Sequence, residues 1–223
     1  MRFLQEYGKA LSLLLLEGDQ DAAWRLIDEI SKSGKDSLYI YGSVITGAMR
    51  HIGYLWETNE ISVADEHLAT STCDFLLARY LFEKKKGQKS VSAKKAMFLC
   101  VESEQHYLGL KMTSQLFSEA GWDTRFHGPN LPLESVKKAA EEWKPDVICL
   151  SFSILYHAEH LGPYIGELEK LPNRPTVIVG GRLVEKYDFS RHGTNRTIFM
   201  NNLEDVQKWL ERHPPGVKSS VGY

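Results

Sequence analysis

The chain has 223 residues, 43% of them hydrophobic and 25% charged, which fits one large folded domain or two modest ones. A net charge of −2 argues against a general nucleic-acid-binding surface. The apolar run 11–16 is short and leads into Glu17-Gly18-Asp19 rather than a small-residue cleavage site, and no stretch is long enough to cross a bilayer, so neither a secretory leader nor a membrane span is expected.

From Phe3 to about Lys84 the pattern predicts helices and no strands. Phe3, Leu4, Tyr7, Leu11, Leu14 and Leu15 recur at helical spacing, and Gly18-Asp19 marks a stop followed by a new start. Ala22, Leu26, Ile27 and Ile30 form a second stripe, ended by Ser33-Gly34. A third helix, over about 37–58, carries Tyr41, Val44, Ile45, Met49, Ile52 and Trp56. A fourth, over about 62–83, carries Ala64, Leu68, Phe75, Leu76 and Leu81, with Ser62 followed by Asp65 and Glu66 as its start. Four helices joined by short turns predict an antiparallel four-helix bundle over residues 1–84. The basic stretch from Lys84 to Ser90 has no apolar face, so residues 85–93 read as an exposed linker.

Beyond the linker the pattern alternates, predicting an α/β domain over residues 94–213 and a frayed tail over 214–223. The apolar run Ala96–Cys100 is a first strand; it empties into the loop 101–109, which carries His106 and feeds a helix over 110–120. A second strand spans Trp122–Phe126, followed by the loop His127–Pro132 and a helix over 135–143. A third spans 145–150 and ends in Ser151-Phe152-Ser153, before a helix over about 157–171. A fourth spans Thr176–Val179 and ends in Gly180-Gly181; a short fifth spans Thr197–Met200, and a helix over 203–212 closes the domain. Five such strands predict a parallel flavodoxin-like (Rossmann-like) sheet in the order 2-1-3-4-5, whose ligand crevice His106 and Ser151 would flank. Cys73, Cys100 and Cys149 are odd in number and sit in apolar surroundings, reading as reduced core thiols of a soluble cytoplasmic protein.

Three strand carboxyl ends thus carry chemistry on one edge of one sheet. Glu104, two residues before His106, can accept a proton from one imidazole nitrogen while the other faces a metal. Gly109, three residues after His106, lets a bulky ligand approach the backbone. The order acidic residue, any residue, His, two residues, Gly, then Ser-x-Ser, then Gly-Gly, with 41 and 26 residues between the three groups, resembles the cobalamin-binding domain. Glu104 stands where that family more often has Asp, and Ser153 replaces its Leu. The resemblance implies that His106 is the lower axial ligand of cobalt, displacing the nucleotide base of cobalamin, and that Glu104 fixes its tautomer. It also implies that Ser151 meets the displaced base, that Gly180 and Gly181 make room for the nucleotide tail, and that the backbone of Gly128 lies beside the corrin.

In the helical part, Trp56, nine residues and then Glu66-His67 would lie at one end of the bundle. This pattern, with its flanks 52–56 and 61–63, resembles the signature of the light-sensing cobalamin-dependent regulators of carotenoid genes. It implies that the bundle covers the upper corrin face, with Trp56, Glu66 and His67 near the adenosyl group of adenosylcobalamin. A sensor rather than an enzyme is then expected. The usual N-terminal helix-turn-helix of those regulators has no counterpart in this chain, so no direct DNA binding is expected; the output partner stays unnamed, and a homo-oligomer is compatible with the sequence. Glu57 follows Trp56 where those regulators commonly have His. The alternative is a corrinoid protein carrying methyl groups in a methyltransferase system, and the Trp56…Glu66-His67 spacing favours the sensor. Among other histidines, His157 and His160 with Glu159 supply two zinc ligands and no third, and His127 and His192 have no identifiable partner. All four read as structural or exposed.

Overall fold

Capping residues cut the first part of the chain into helices. In the computed structural model, which describes residues 2–86 and 94–216, α1 (Arg2–Leu16) ends where Gly18 takes a φ of +69° and the amides of Gly18 and Asp19 turn back to the carbonyls of Leu15 and Leu14. Asp19 caps α2 (Gln20–Lys32), accepting from the Ala22 amide at 2.8 Å. Asp36 starts α3, a continuous helix over residues 37–57, and Ser62 with Asp65 forms a reciprocal capping box at the head of α4 (Val63–Lys85). Helix α1 packs on α3 and α4, and α2 packs on α1 and α4, as an antiparallel bundle requires. One feature of α3 departs from the expected plain helix: Ile40–Ile45 is a π-helical turn. The wider turn puts Ile40, Tyr41, Val44 and Ile45 into the core together, and the Thr46 hydroxyl donates to the Tyr41 carbonyl at 2.8 Å.

The second part folds as a five-stranded parallel sheet of order β2-β1-β3-β4-β5. The strands are β1 (Lys95–Cys100), β2 (Asp123–Gly128), β3 (Val147–Ser151), β4 (Thr176–Gly180) and β5 (Ile198–Phe199). The helices are α5 (Leu108–Glu119), α6 (Leu133–Trp143), α7 (Leu161–Leu168) and α8 (Leu203–Arg212). Strands β1 and β3 are buried almost throughout, because helices cover both faces. One face meets α6 and α7 through Met97, Leu99, Ile148, Leu150, Val136 and Ile165. On the other, Phe98 stands edge-on to Phe117 of α5, which also packs on Trp122 and on Trp209 of α8.

Several expected boundaries shift. Strand β2 starts after Trp122, whose ring is buried in the aromatic cluster, and runs on to Gly128 through a register shift opposite Phe98 and Leu99. The helix expected over 157–171 is split into a 3-10 turn, Leu155–His160, and α7. Pro163 explains this: lacking an amide proton, it is tolerated in the first turn of a helix but not in its interior. Strand β5 has two residues rather than four. The chain divides into two compact units, Met1–Gly87 and Gln88–Tyr223. From residue 87 on, the expected linker 85–93 lies outside the described residues, as does the tail beyond residue 216. Among the described residues no helix is long and apolar enough to cross a membrane.

Candidate functional site

Parallel register aligns the three strand ends. Cys100 of β1, Ser151 of β3 and Gly180 of β4 are successive Cα partners, so the loops that leave these strands emerge side by side. The chain crosses over between β1 and β3, where an open α/β sheet leaves its crevice. The loop between β1 and α5 is pinned from several directions. The Glu102 amide donates to the Tyr164 hydroxyl at 3.1 Å, and that hydroxyl donates to the Leu131 carbonyl at 2.5 Å. The Ser103 amide donates to Asn130 Oδ1 at 2.8 Å, and the Asn130 amide to the Glu104 carbonyl at 3.0 Å. Ser103 and Asn130 take φ values of +69° and +52°, a left-handed conformation that side chains disfavour and that these hydrogen bonds hold in place.

At the centre lies the carboxylate of Glu104, fully buried. Its Oε1 accepts from the His106 amide at 2.8 Å and from His106 Nδ1 at 2.6 Å. Its Oε2 accepts from the Ser153 amide at 2.6 Å and from His157 Nδ1 at 3.2 Å. Burial pushes this carboxyl up, but the hydrogen bonds from the His106 ring and amide, the Ser153 amide and the His157 ring outweigh it and hold the group at about 2. The ionised carboxylate can only accept, so His106 carries a proton on Nδ1, and in the neutral ring Nε2 keeps a free lone pair. The His106 side chain is 53% exposed. Beside it the Cys100 thiol touches the His106 carbonyl at 3.8 Å; burial first and the Glu104 charge second push that thiol up to about 12, so it stays protonated.

The other expected positions divide. Ser151 and Ser153 are buried at the end of β3, with the Ser153 carbonyl accepting from Arg182 Nε at 3.1 Å. A methyl group on Gly109 would meet nothing within 4 Å, which leaves the face of α5 beside His106 open. At Gly180 the added carbon would lie 3.9 Å from the Met200 carbonyl oxygen. Gly181 differs: with φ +134°, its added carbon would fall 1.8 Å from the Phe152 carbonyl oxygen, so the backbone itself demands glycine there. Gly128 ends β2 with a φ of +80°. In the bundle, Trp56 lies in the last turn of α3 and is 48% exposed, while Glu66 and His67 lie in the first turns of α4. The Glu66 carboxylate accepts from the Thr70 hydroxyl at 2.8 Å and lies 3.8 Å from His67 Nε2; the His67 side chain is 76% exposed.

His157, read as structural or exposed, is buried and donates to the carboxylate that orients His106. Its place in the loop after the third strand was the available signal. Among the described residues no group of three or more His, Cys, Asp and Glu is arranged to hold a bare metal ion. A corrin supplies its cobalt with four equatorial nitrogens, so one imidazole with a free Nε2 and an open helix face beside it suits that group.

A strand-end edge offering a single oriented imidazole to a large ligand defines a class, and the family matches name it. Residues 94–192 match the B12 binding domain, and residues 8–80 match a second family also described as a B12 binding domain. Both parts of the chain thus match B12 binding domains. Among individual proteins it is 24% identical over 164 residues to the HTH-type transcriptional repressor CarH of Myxococcus xanthus, over 73% of this chain and 53% of that protein. It thus spans about half the length of the curated relative it matches. Among solved structures, the monomethylamine corrinoid protein of Methanosarcina barkeri matches with a TM-score of 0.70 at 20% identity, over 93% of this chain and 99% of that one. A cobalamin-binding protein from Desulfitobacterium hafniense DCB-2 matches with a TM-score of 0.50 at 18% identity, over 92% and 97%. The methanol:cobalamin methyltransferase complex MtaBC of Methanosarcina barkeri matches with a TM-score of 0.51 at 16% identity, over 95% and 81%. At these identities the structural likenesses establish the fold.

Proposed function

We propose that the protein is an adenosylcobalamin sensor, a photoreceptor module in which His106 is the lower axial ligand. One observation carries the ligand assignment: a half-exposed imidazole whose Nδ1 proton is committed to a buried, ionised carboxylate, leaving Nε2 free. Glu104 fixes the tautomer and raises the basicity of the ring. Gly109 would leave space for the macrocycle, Ser151 and Gly180 line the row where the displaced base and tail would pass, and by the resemblance the Gly128 backbone would lie beside the ring system. When bound, adenosylcobalamin supplies a cobalt–carbon bond that green light breaks. Trp56, with Glu66 and His67, is assigned to the upper axial group by the resemblance to the light-sensing regulators; an indole left 48% exposed contributes little to the bundle core and is available for such a role. Three buried cysteines, none in a disulfide, suit a cytoplasmic setting, and the output is read by a protein partner or a second copy of the chain.

A second reading, a carrier of methyl groups in a methyltransferase system, is favoured by Glu57 at the position after Trp56. The two are separated by experiment. In the dark, purified protein with adenosylcobalamin should show a His-ligated, base-off spectrum that His106→Ala abolishes. Green light should change the hydrodynamic radius of that complex and leave a hydroxocobalamin complex unchanged. Trp56→Ala should weaken adenosylcobalamin more than hydroxocobalamin. An unchanged bound spectrum in His106→Ala overturns the ligand assignment. No response to light, with equal losses for both ligands in Trp56→Ala, transfers the function to the methyl carrier.

A further inference from the structure

We propose that α4 carries a dimerisation surface whose occupant is the α4 of a second copy of this chain, packed antiparallel. The proposal rests on the bundle alone and is independent of the cobalamin reading. Helix α4 already fills its core face with Ala69, Cys73, Leu76, Leu77 and Tyr80. A second seam runs along its outside. Ala64, Leu68, Ser71, Phe75, Ala78 and Phe82 follow one another at steps of four, three, four, three and four, and all six are exposed. Such steps are the a and d positions of a heptad, the pattern by which one helix packs on another. The large members, Leu68, Phe75 and Phe82, are between 41% and 66% exposed, and the small ones alternate with them. A helix with apolar residues on two faces calls for a partner on each.

Size and charge both select a second α4 in reverse. With two copies antiparallel and centred on Cys73, Ala64 faces Phe82, Leu68 faces Ala78 and Ser71 faces Phe75, so a large side chain always meets a small one. A parallel pair would set Phe75 against Phe75 and Ala78 against Ala78, crowding one layer and leaving a void in the next. An open hollow of about 520 Å³ at Ala78, Leu81, Phe82 and Lys85 is where Leu68 of the second copy would seat. The first turn of α4 carries Asp65 and Glu66 and the last turn Lys84 and Lys85, so reversal lays acidic ends beside basic ones. On one flank Asp65 of each copy comes opposite Arg79 of the other. Asp65 uses Oδ2 in its capping box, and Arg79 lies 3.5 Å from Asp21 within its own chain. On the other flank Asp74 meets its own counterpart beside the axis, a like-charge contact that limits affinity. One pair of helices over a seam of about 27 Å covers less than the roughly 800 Å² per partner of a standard interface, so the dimer forms at micromolar concentration.

The full chain without ligand is the sample, so the outcome does not depend on cobalamin. Sedimentation equilibrium of the wild type should show monomer and dimer in exchange, with a dissociation constant of about 1–100 μM. Phe75→Glu, at an exposed position beside the axis, should leave the far-ultraviolet circular dichroism unchanged and weaken dimerisation at least about 10-fold. Should that variant unfold, Ser71→Glu on the same seam takes its place, with the same loss expected. Asp74→Asn should tighten the dimer. Disulfide trapping reads the direction: Leu68→Cys and Ala78→Cys chains oxidised together should give a cross-linked mixed dimer, and neither should cross-link alone. A wild type that stays monomeric at about 200 μM overturns the proposal, whatever then covers the seam. A dimer that the glutamate variants leave intact overturns it too, as does one that Asp74→Asn weakens. Trapping of Leu68→Cys with itself, in place of the mixed pair, refutes the antiparallel arrangement and with it the proposal.

Discussion

Glu104→Gln removes a buried charge at nearly constant shape, and its cost can be worked from the surroundings. Burial alone would raise the pKa of this carboxyl; the four hydrogen bonds more than reverse that and hold it at about 2, against an ordinary 4.5. A group whose folded pKa lies below its unfolded one contributes stability that is present above the unfolded value and lost as pH falls through the folded value. At about 1.4 kcal/mol per tenfold, this amounts to about 3 kcal/mol, complete above about pH 5 and gone near pH 2. Glutamine cannot titrate, and its amide nitrogen would face an N–H donor with no acceptor between them. The substitution should therefore destabilise the second unit by about 3 kcal/mol at pH 7. Native-state hydrogen exchange of the Phe98 and Leu99 amides in β1 is the assay, because a chain of two units need not unfold in one step. The difference between wild type and variant should be full at pH 7 and pH 5 and smaller by about 2 kcal/mol at pH 3. A difference that stays constant down to pH 3 would refute the claim that folding holds this carboxyl below its ordinary range.

Gly181→Ala should destabilise the sheet unit by more than about 3 kcal/mol, since the new methyl meets the Phe152 carbonyl and the φ of +134° is strained, and thermal unfolding reads this directly. Gly109→Ala, in open space on α5, should leave the ligand-free protein as stable as wild type or more stable by up to about 1 kcal/mol, while cobalamin titration shows weaker binding. Ser62→Ala breaks the capping box of α4 and should cost the bundle about 1 kcal/mol, seen as faster exchange of the amides in the first turn of that helix.

The ends of the bundle helices are legible because the residues that terminate them are local: Gly18 turns the chain, Asp19 caps the next helix, and Ser62 finds Asp65 three residues on. The central strands are legible for a different reason. Covered on both faces, β1, β3 and β4 read as unbroken apolar runs. The edges follow neither rule. Strand β2 carries exposed Arg125, Phe126 and His127, and its length is set by pairing with β1 rather than by its own hydrophobicity. Pro163 is visible in the sequence, yet its effect depends on whether it falls inside a helix or in its first turn, and the 3-10 turn before it decides that.

The same division runs through the site. Glu104 and His106 are two residues apart, so the chemistry of that pair can be argued from spacing alone. His157 lies 53 residues from Glu104, and nothing local joins them. They meet because β3 lies beside β1 with Cys100 opposite Ser151, which delivers the loop after one strand onto the loop after the other. The adjacent glycines show the limit most sharply. Gly180 and Gly181 are indistinguishable as letters, but the register that sets Ser151 opposite Gly180 leaves one with room for a side-chain carbon in ordinary contact with the Met200 carbonyl and presses the other against the Phe152 carbonyl. Residues that orient a ligand across neighbouring parallel strands are therefore invisible to spacing, because a parallel neighbour always arrives from a distant part of the chain. That is why the orienting carboxylate could be found from its ligand, whereas the residue that holds the carboxylate had to be found from the sheet.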